Sequence, residues 1–174
     1  MRALVPLSAL FFAPLFFALP VPTLAQNAPY DAKILPACFQ RVTDAQGDLD
    51  ICIGEASTAC MAQPGGDTTV GMVDCLAAEG ADWDKKLNEY YDKALKQAEA
   101  SDAEVKAMGS AAEPAAPVLK QAQRDWIAYR DSSCRFQSLR FQGGTAGGPA
   151  AATCLMELTG EQALRLHDLL EDRQ

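Results

Sequence analysis

Carboxylates, hydroxyls, one imidazole, six thiols and a glycine-rich loop are the groups in this chain that could do chemistry. Two carboxylate pairs stand at helical i,i+3 spacing, Glu79 with Asp82 and Glu89 with Asp92, an arrangement that general acid–base catalysis could use. In a chain with 23 acidic residues such pairs arise by chance on solvated helix faces, so they read as surface charge. Asp131-Ser132-Ser133 sets hydroxyls beside a carboxylate, but His167 is the only histidine, and a Ser-His-Asp arrangement has no base nearby. His167 follows Leu166 near the end of a helix, where a lone histidine stabilises the helix end rather than ligating a metal. The cysteines, Cys38, Cys52, Cys60, Cys75, Cys134 and Cys154, include no C-x-x-C pair, which argues against a thioredoxin-like redox site and a zinc ribbon. Gln142 to Pro149 is rich in glycine, yet no strand pattern precedes it and no Lys-Ser/Thr closes it, so it is a surface turn and not a phosphate cradle. The residues therefore predict a protein that is not an enzyme, with no catalytic residue, no cofactor and no metal.

The elements that position these groups begin after residue 25. Arg2, the apolar run Ala9 to Leu19 and the small-residue end Pro22-Thr23-Leu24-Ala25 form the pattern of a cleaved secretory signal peptide over residues 1–25. Pro6, Pro14 and Pro20 oppose a stable membrane-spanning helix there. Without Arg2 the mature chain has 14 basic and 23 acidic residues, a net charge of −9. That balance disfavours nucleic acid and anionic membranes and favours a basic partner. An even number of cysteines in an exported chain predicts three disulfides and a periplasmic or secreted location. No membrane anchor is expected.

Residues 26–59 read as a cysteine-containing N-terminal arm, with Gln26 to Pro36 loose and Cys38 to Cys60 made of loops and a short helical turn. Residues 60–174 read as one helical domain. Gln63 to Thr69 breaks the chain and offers Asp67, Thr68 or Thr69 as a helix cap. From about Val70 to Ala100, Leu76, Gly80, Trp83, Leu87, Tyr90 and Ala94 recur at three- and four-residue steps, the period of the longest helix. A second helix follows, in which Leu119, Ala122, Trp126, Tyr129 and Ser133 share one side. The two should pack antiparallel with Trp83 and Trp126 in a shared core. Ala150 to Leu158 and Glu161 to Leu170 then form a last helical pair, broken near Thr159-Gly160. The fold class is all-α: a small disulfide-linked helical domain built on an antiparallel pair of long helices. That geometry brings the start of the first long helix near the end of the second, so Cys75 should reach Cys134 and leave Cys60 for Cys154. Local pairing of Cys134 with Cys154 across the glycine loop is the alternative, and Cys38–Cys52 belongs to both schemes.

Cys75, Trp83, Leu87-Asn88, Tyr91, the run Ala122-Gln123-Arg124-Asp125-Trp126-Ile127-Ala128-Tyr129-Arg130-Asp131, Cys134, Gly143-Gly144-Thr145, Cys154 and Leu158-Thr159 together resemble the lysozyme-inhibitor LprI-like N-terminal domain family, from about Cys60 to Leu170. The resemblance implies a small, exported, mostly helical, disulfide-linked bacterial domain, in a family named for inhibition of lysozyme by some members. The sequence departs from it in Thr145, where the family usually shows Ser, in Gln162, where an Arg often follows the Leu-Thr pair, and in the extra Cys38 and Cys52. Within the motif, Trp83, Asn88, Tyr91, Gln123, Arg124, Trp126, Tyr129, Arg130 and Asp131 are expected to be structural. The function that follows is an exported binding protein that inhibits a basic lysozyme by covering its sugar-binding cleft, with Gly143, Gly144 and Thr145 as the partner-binding loop. The other function class is a periplasmic structural or interaction domain with no inhibitory activity.

Overall fold

Thr68 starts the longest element. In the computed structural model, which describes residues 28–171, its hydroxyl accepts the backbone N–H of Gly71 at 3.0 Å and caps α3, Thr69–Ala107. The expected signal peptide and the cleavage point after Ala25 lie outside the described residues. Along α3 the buried positions Cys75, Leu76, Glu79, Trp83 and Leu87 follow the three- and four-residue steps read from the sequence. α4, Ala115–Leu139, begins at Pro114 without a cap of its own. Asp102 of α3 replaces it, its two oxygens accepting the N–H groups of Ala115 and Ala116 at 2.7 and 2.9 Å. α5 runs from Gly147 to Glu171. Before them come α1, Ile34–Asp44, a 3₁₀ turn, Leu49–Cys52, and α2, Glu55–Met61. The described residues are all-α and contain no strand.

The expected antiparallel hairpin of two long helices forms between α3 and α4, but it is not where the core lies. α3 packs most extensively on α5, and these two run parallel: Gly148 faces Val73, Gly80 faces Met156, Gly160 faces Trp83, and the His167 and Tyr90 rings stand 5.2 Å apart. Trp83 is fully buried there, whereas Trp126 is only half-buried. The reason is the apolar area on offer. α5 brings Met156, Ala163, Leu164 and Leu166 to the core, while the fully buried side chains of α4 are Ala116, Gln123 and Cys134, so α3 loses more water-exposed apolar surface against α5.

Three other expectations are corrected. The break at Thr159-Gly160 is absent: α5 is continuous, because the Thr159 hydroxyl bonds back to the Leu155 carbonyl at 2.6 Å within the helix and Gly160 serves a close helix contact instead of a turn. A Cβ at Gly160 would come within 3.0 Å of Ile53 and 3.3 Å of Trp83. The segment from Cys38 to Cys60 is mostly helical rather than looped, and Leu35, Cys38, Val42 and Cys52 join the same core as Trp83 and Leu166. Gln26 to Pro36 is not a loose arm where it is described: Tyr30 donates to Asp82 of α3 at 2.9 Å, and burial, with that bond second, pushes its phenol well above the ordinary tyrosine range.

The disulfides are Cys38–Cys52, Cys60–Cys75 and Cys134–Cys154. The pairing of Cys75 with Cys134 and of Cys60 with Cys154 is thus replaced by the local alternative. Cys75 faces α2, and Cys134 faces α5, which occupies the ground that a bare α3–α4 pair would have shared. Each bridge therefore joins elements that are neighbours in sequence.

Candidate partner-binding site

Most of the groups with catalytic potential are engaged in structure. The Glu79 carboxylate is fully buried and accepts three N–H groups: Gly54 and Ser57 of the α2 start at 2.6 Å each and the Trp83 indole at 3.0 Å. It fastens α2 to α3 and satisfies donors that the first turn of a helix leaves free. Its i,i+3 neighbour Asp82 is held by Tyr30 and Lys85. Glu89 pairs with Lys93 at 2.6 Å on the surface, and that bond holds its carboxyl below the usual range, while Asp92 is exposed. The Ser132 hydroxyl lies 2.8 Å from the Ala128 carbonyl, and Asp131 pairs with Arg130 at 2.9 Å. His167 sets its ring edge against Tyr90 and has Nδ1 3.4 Å from Asp168. Among the described residues no group of three or more His, Cys, Asp or Glu side chains is placed to hold a metal.

The motif on α4 divides between two sides. Gln123 is buried and meets Gln162 of α5 at 3.3 Å. The Arg130 guanidinium lies 5.0 Å from the Trp126 ring one turn along the same helix, a cation–π contact. Trp83 is core and Tyr91 is half-buried. Asn88 bonds Asp84 across an exposed turn at 3.0 Å, and Arg124 reaches Gln121. Tyr129 departs from its expected place on the inner side: it is 59% exposed. The inner face of α4 is centred on Leu119, Gln123, Trp126, Arg130 and Cys134, which turns Tyr129 outward. A buried amide and a stacked arginine stand where the periodicity of apolar residues alone would put a tyrosine.

Two features that sequence reasoning missed lie on the surface. An apolar groove of about 560 Å³ runs between α3 and α5, floored by Leu76, Gly80, Ala152 and Met156 and edged by Asp84 and Arg130. Its sequence signal is the small residues that α3 and α5 set opposite one another. The second is the end of the bundle where α4 turns into α5. Phe136 and Leu139 are 63% and 61% exposed there, and Phe141 is exposed beside them. Phe136 and Leu139 lie off the Trp126 side of α4, and Phe141 follows them in the turn.

Gly143, Gly144 and Thr145 lie in the connection between α4 and α5 at that end, and all three are exposed. The turn is built from successive backbone bonds: Gln142 N–H to Leu139 O at 3.0 Å, Gly144 N–H to Phe141 O at 2.8 Å and Gly147 N–H to Gly144 O at 3.0 Å. Gly143 has φ +83°, a left-handed conformation that glycine adopts without a steric penalty. Cys134–Cys154 ties the two helices below it, and Gly147 seats against Ser138, where a Cβ would fall 3.0 Å from the carbonyl. The result is a tied, exposed tip.

Residues 60–166 match the model of the family described as Lysozyme inhibitor LprI. The chain belongs to this family. Its description is that of inhibitor proteins, not of enzymes. The match begins at Cys60 and takes in α3, α4, the tip and most of α5. Among similar proteins is the uncharacterised protein R02472 of Rhizobium meliloti (strain 1021), 29% identical over 129 residues, which are 72% of this chain and 93% of the relative. No solved structure matches the chain. The three disulfides of this LprI-family chain fit an oxidising compartment outside the cytoplasm. Among the described residues no helix is long and apolar enough to cross a membrane.

Proposed function

We propose that the mature protein, released by signal cleavage after Ala25 into the periplasm or the medium, binds a basic lysozyme and inhibits it by covering its sugar-binding cleft. The observation that carries this reading is the match of residues 60–166 to a lysozyme-inhibitor family. Two physical features support it. The acidic mature chain, with 14 basic and 23 acidic residues once Arg2 is removed, would speed encounter with a basic enzyme, an effect that salt weakens. The tip around Gly143, Gly144 and Thr145 is held by its own turns and by Cys134–Cys154, so little conformational freedom remains to be lost on insertion into a cleft. An interaction domain without inhibitory activity is the competing reading, favoured by the apolar groove between α3 and α5, which suits a partner's apolar segment.

The deciding experiment is lysozyme activity with and without the purified mature protein, repeated with Thr145→Glu. We expect inhibition by the unaltered protein and at least tenfold weaker inhibition by the variant, with an unchanged melting temperature. No inhibition at high micromolar concentration, against lysozymes of several types, would give the case to the competing reading. Full inhibition by the Thr145 variant would remove the tip from the contact.

A further inference from the structure

Charge is unevenly distributed over this acidic molecule. Residues 115–140 carry five basic side chains, Lys120, Arg124, Arg130, Arg135 and Arg140, against two acidic ones, Asp125 and Asp131. Some of that charge is neutralised within the fold: Lys120 pairs with Glu99 at 2.8 Å and Arg130 with Asp131. Arg135 and Arg140 are exposed, and no carboxylate among the described residues lies within ion-pair distance of either. The only side-chain bond of Arg140 among the described residues is to the neutral Gln137 amide oxygen at 2.9 Å. Both arginines belong to the end of the bundle that carries exposed Phe136, Leu139 and Phe141.

Arginines set among exposed aromatic and aliphatic side chains have the composition of a binding hot spot. We propose that Arg140, flanked by Leu139 and Phe141, is the group on the tip that engages the paired carboxylates of a lysozyme cleft, with Arg135 adding to the field. This rests on the inhibitory reading above and names its contact. A retaining glycosidase keeps two carboxyl groups about 5 Å apart on either side of the scissile bond, and a guanidinium is the side chain shaped to bond a carboxylate with two parallel N–H groups. The two signs of charge then act at different ranges: the acidic body draws in the basic enzyme, and the cationic tip fits the acidic floor of its cleft. The tip is continuous with the helix above it through the N–H of Arg140 to the Phe136 carbonyl at 3.2 Å, which fixes where the guanidinium starts. A cation at the end of a helix also favours the helix dipole, and a solely structural role of that kind would appear in melting and not in affinity.

The test measures inhibition and binding of a chicken-type lysozyme by the full mature protein and by Arg140→Ala and Arg140→Glu. The same binding is measured on a lysozyme whose two cleft carboxyl groups are both replaced by amides, Glu by Gln and Asp by Asn. We expect Arg140→Ala to weaken inhibition at least tenfold and Arg140→Glu at least a hundredfold, with melting within about 2 °C of the unaltered protein. Against the neutralised lysozyme the loss from Arg140→Ala should shrink below threefold. If the unaltered protein inhibits and both variants match it, Arg140 is not the contact, while the inhibitory function stands. An equal loss on both lysozymes overturns the carboxylate assignment, since Arg140 then touches some other part of the enzyme. If the unaltered protein neither binds nor inhibits, the inhibitory reading fails and this one with it. A dimer in sedimentation that Arg140→Glu dissolves, without a change in lysozyme binding, assigns the tip to self-association and also overturns it.

Discussion

Glu79 shows how one residue can change meaning between sequence and structure. At i,i+3 from Asp82 it has the spacing of a catalytic or a solvated carboxylate, and it is neither: three N–H donors from two elements enclose it. A buried carboxylate is tolerated only when its lone pairs are filled, and filled it holds its donors strongly. Glu79→Ala leaves the N–H groups of Gly54 and Ser57 and the Trp83 indole without their acceptor, each orphan costing ~1–3 kcal/mol. The expected loss of stability is at least about 3 kcal/mol, read by thermal melting, with faster amide exchange at Gly54 and Ser57. Unchanged exchange at those two amides would mean that another acceptor replaces the carboxylate.

Helix propensity and helix packing oppose one another within the α3–α5 pair. Gly80 and Gly160 both lie inside helices, where glycine is less favourable than alanine by ~1 kcal/mol. At Gly80 a Cβ would make ordinary contact with Met156 at 3.6 Å, so Gly80→Ala should stabilise by up to about 1 kcal/mol. At Gly160 the same atom would press on Ile53 at 3.0 Å and on Trp83 at 3.3 Å, and Trp83 is fully buried with nowhere to move. Overpacking of that kind costs ~1–3 kcal/mol, which exceeds the propensity gain, so Gly160→Ala should lower the melting temperature. Two melting curves check the pair, and a rise for both would show that Ile53 yields freely. α4 repeats the conflict in another form: its apolar period favours a side through Tyr129, but the contacts that place the helix come from Leu119, Gln123, Trp126 and Cys134.

Across the whole molecule the three disulfides each close a short loop, with separations of 14, 15 and 20 residues. None joins distant parts of the chain: Cys60–Cys75 and Glu79 fasten α2 to α3, whereas α1, with Phe39 against Trp83, is held on α3 by the apolar core. A loop near 20 residues is worth ~3 kcal/mol of unfolded-chain entropy, and Cys134→Ser with Cys154→Ser should cost about that much while leaving α1 to α3 folded. Mapping of unreduced peptides should find the three local bridges, and melting of the double variant measures the loss. On the proposed inhibitory function, in which Cys134–Cys154 supports the tip, the variant should also inhibit less than its remaining folded fraction accounts for.

The sequence by itself determined the all-α class, the long helix from its three- and four-residue period, the Thr68 cap region and the family motif from Cys60 onward. These are readable because periodicity, capping and motif spacing are local, carried by residues within a few turns of one another. It also marked Gly143, Gly144 and Thr145 as a turn, since a glycine-rich stretch after a helix readily takes the left-handed conformation seen at Gly143. Only the tertiary structure decided that α3 pairs in parallel with α5, that Gly160 is a contact and not a break, which of the four cysteines beyond the expected Cys38–Cys52 pair meet, and that Tyr129 and Phe136 face outward while Glu79 faces inward. Those outcomes depend on which of several apolar faces buries the most surface against which neighbour, a comparison between segments distant in the chain that no single segment's pattern contains.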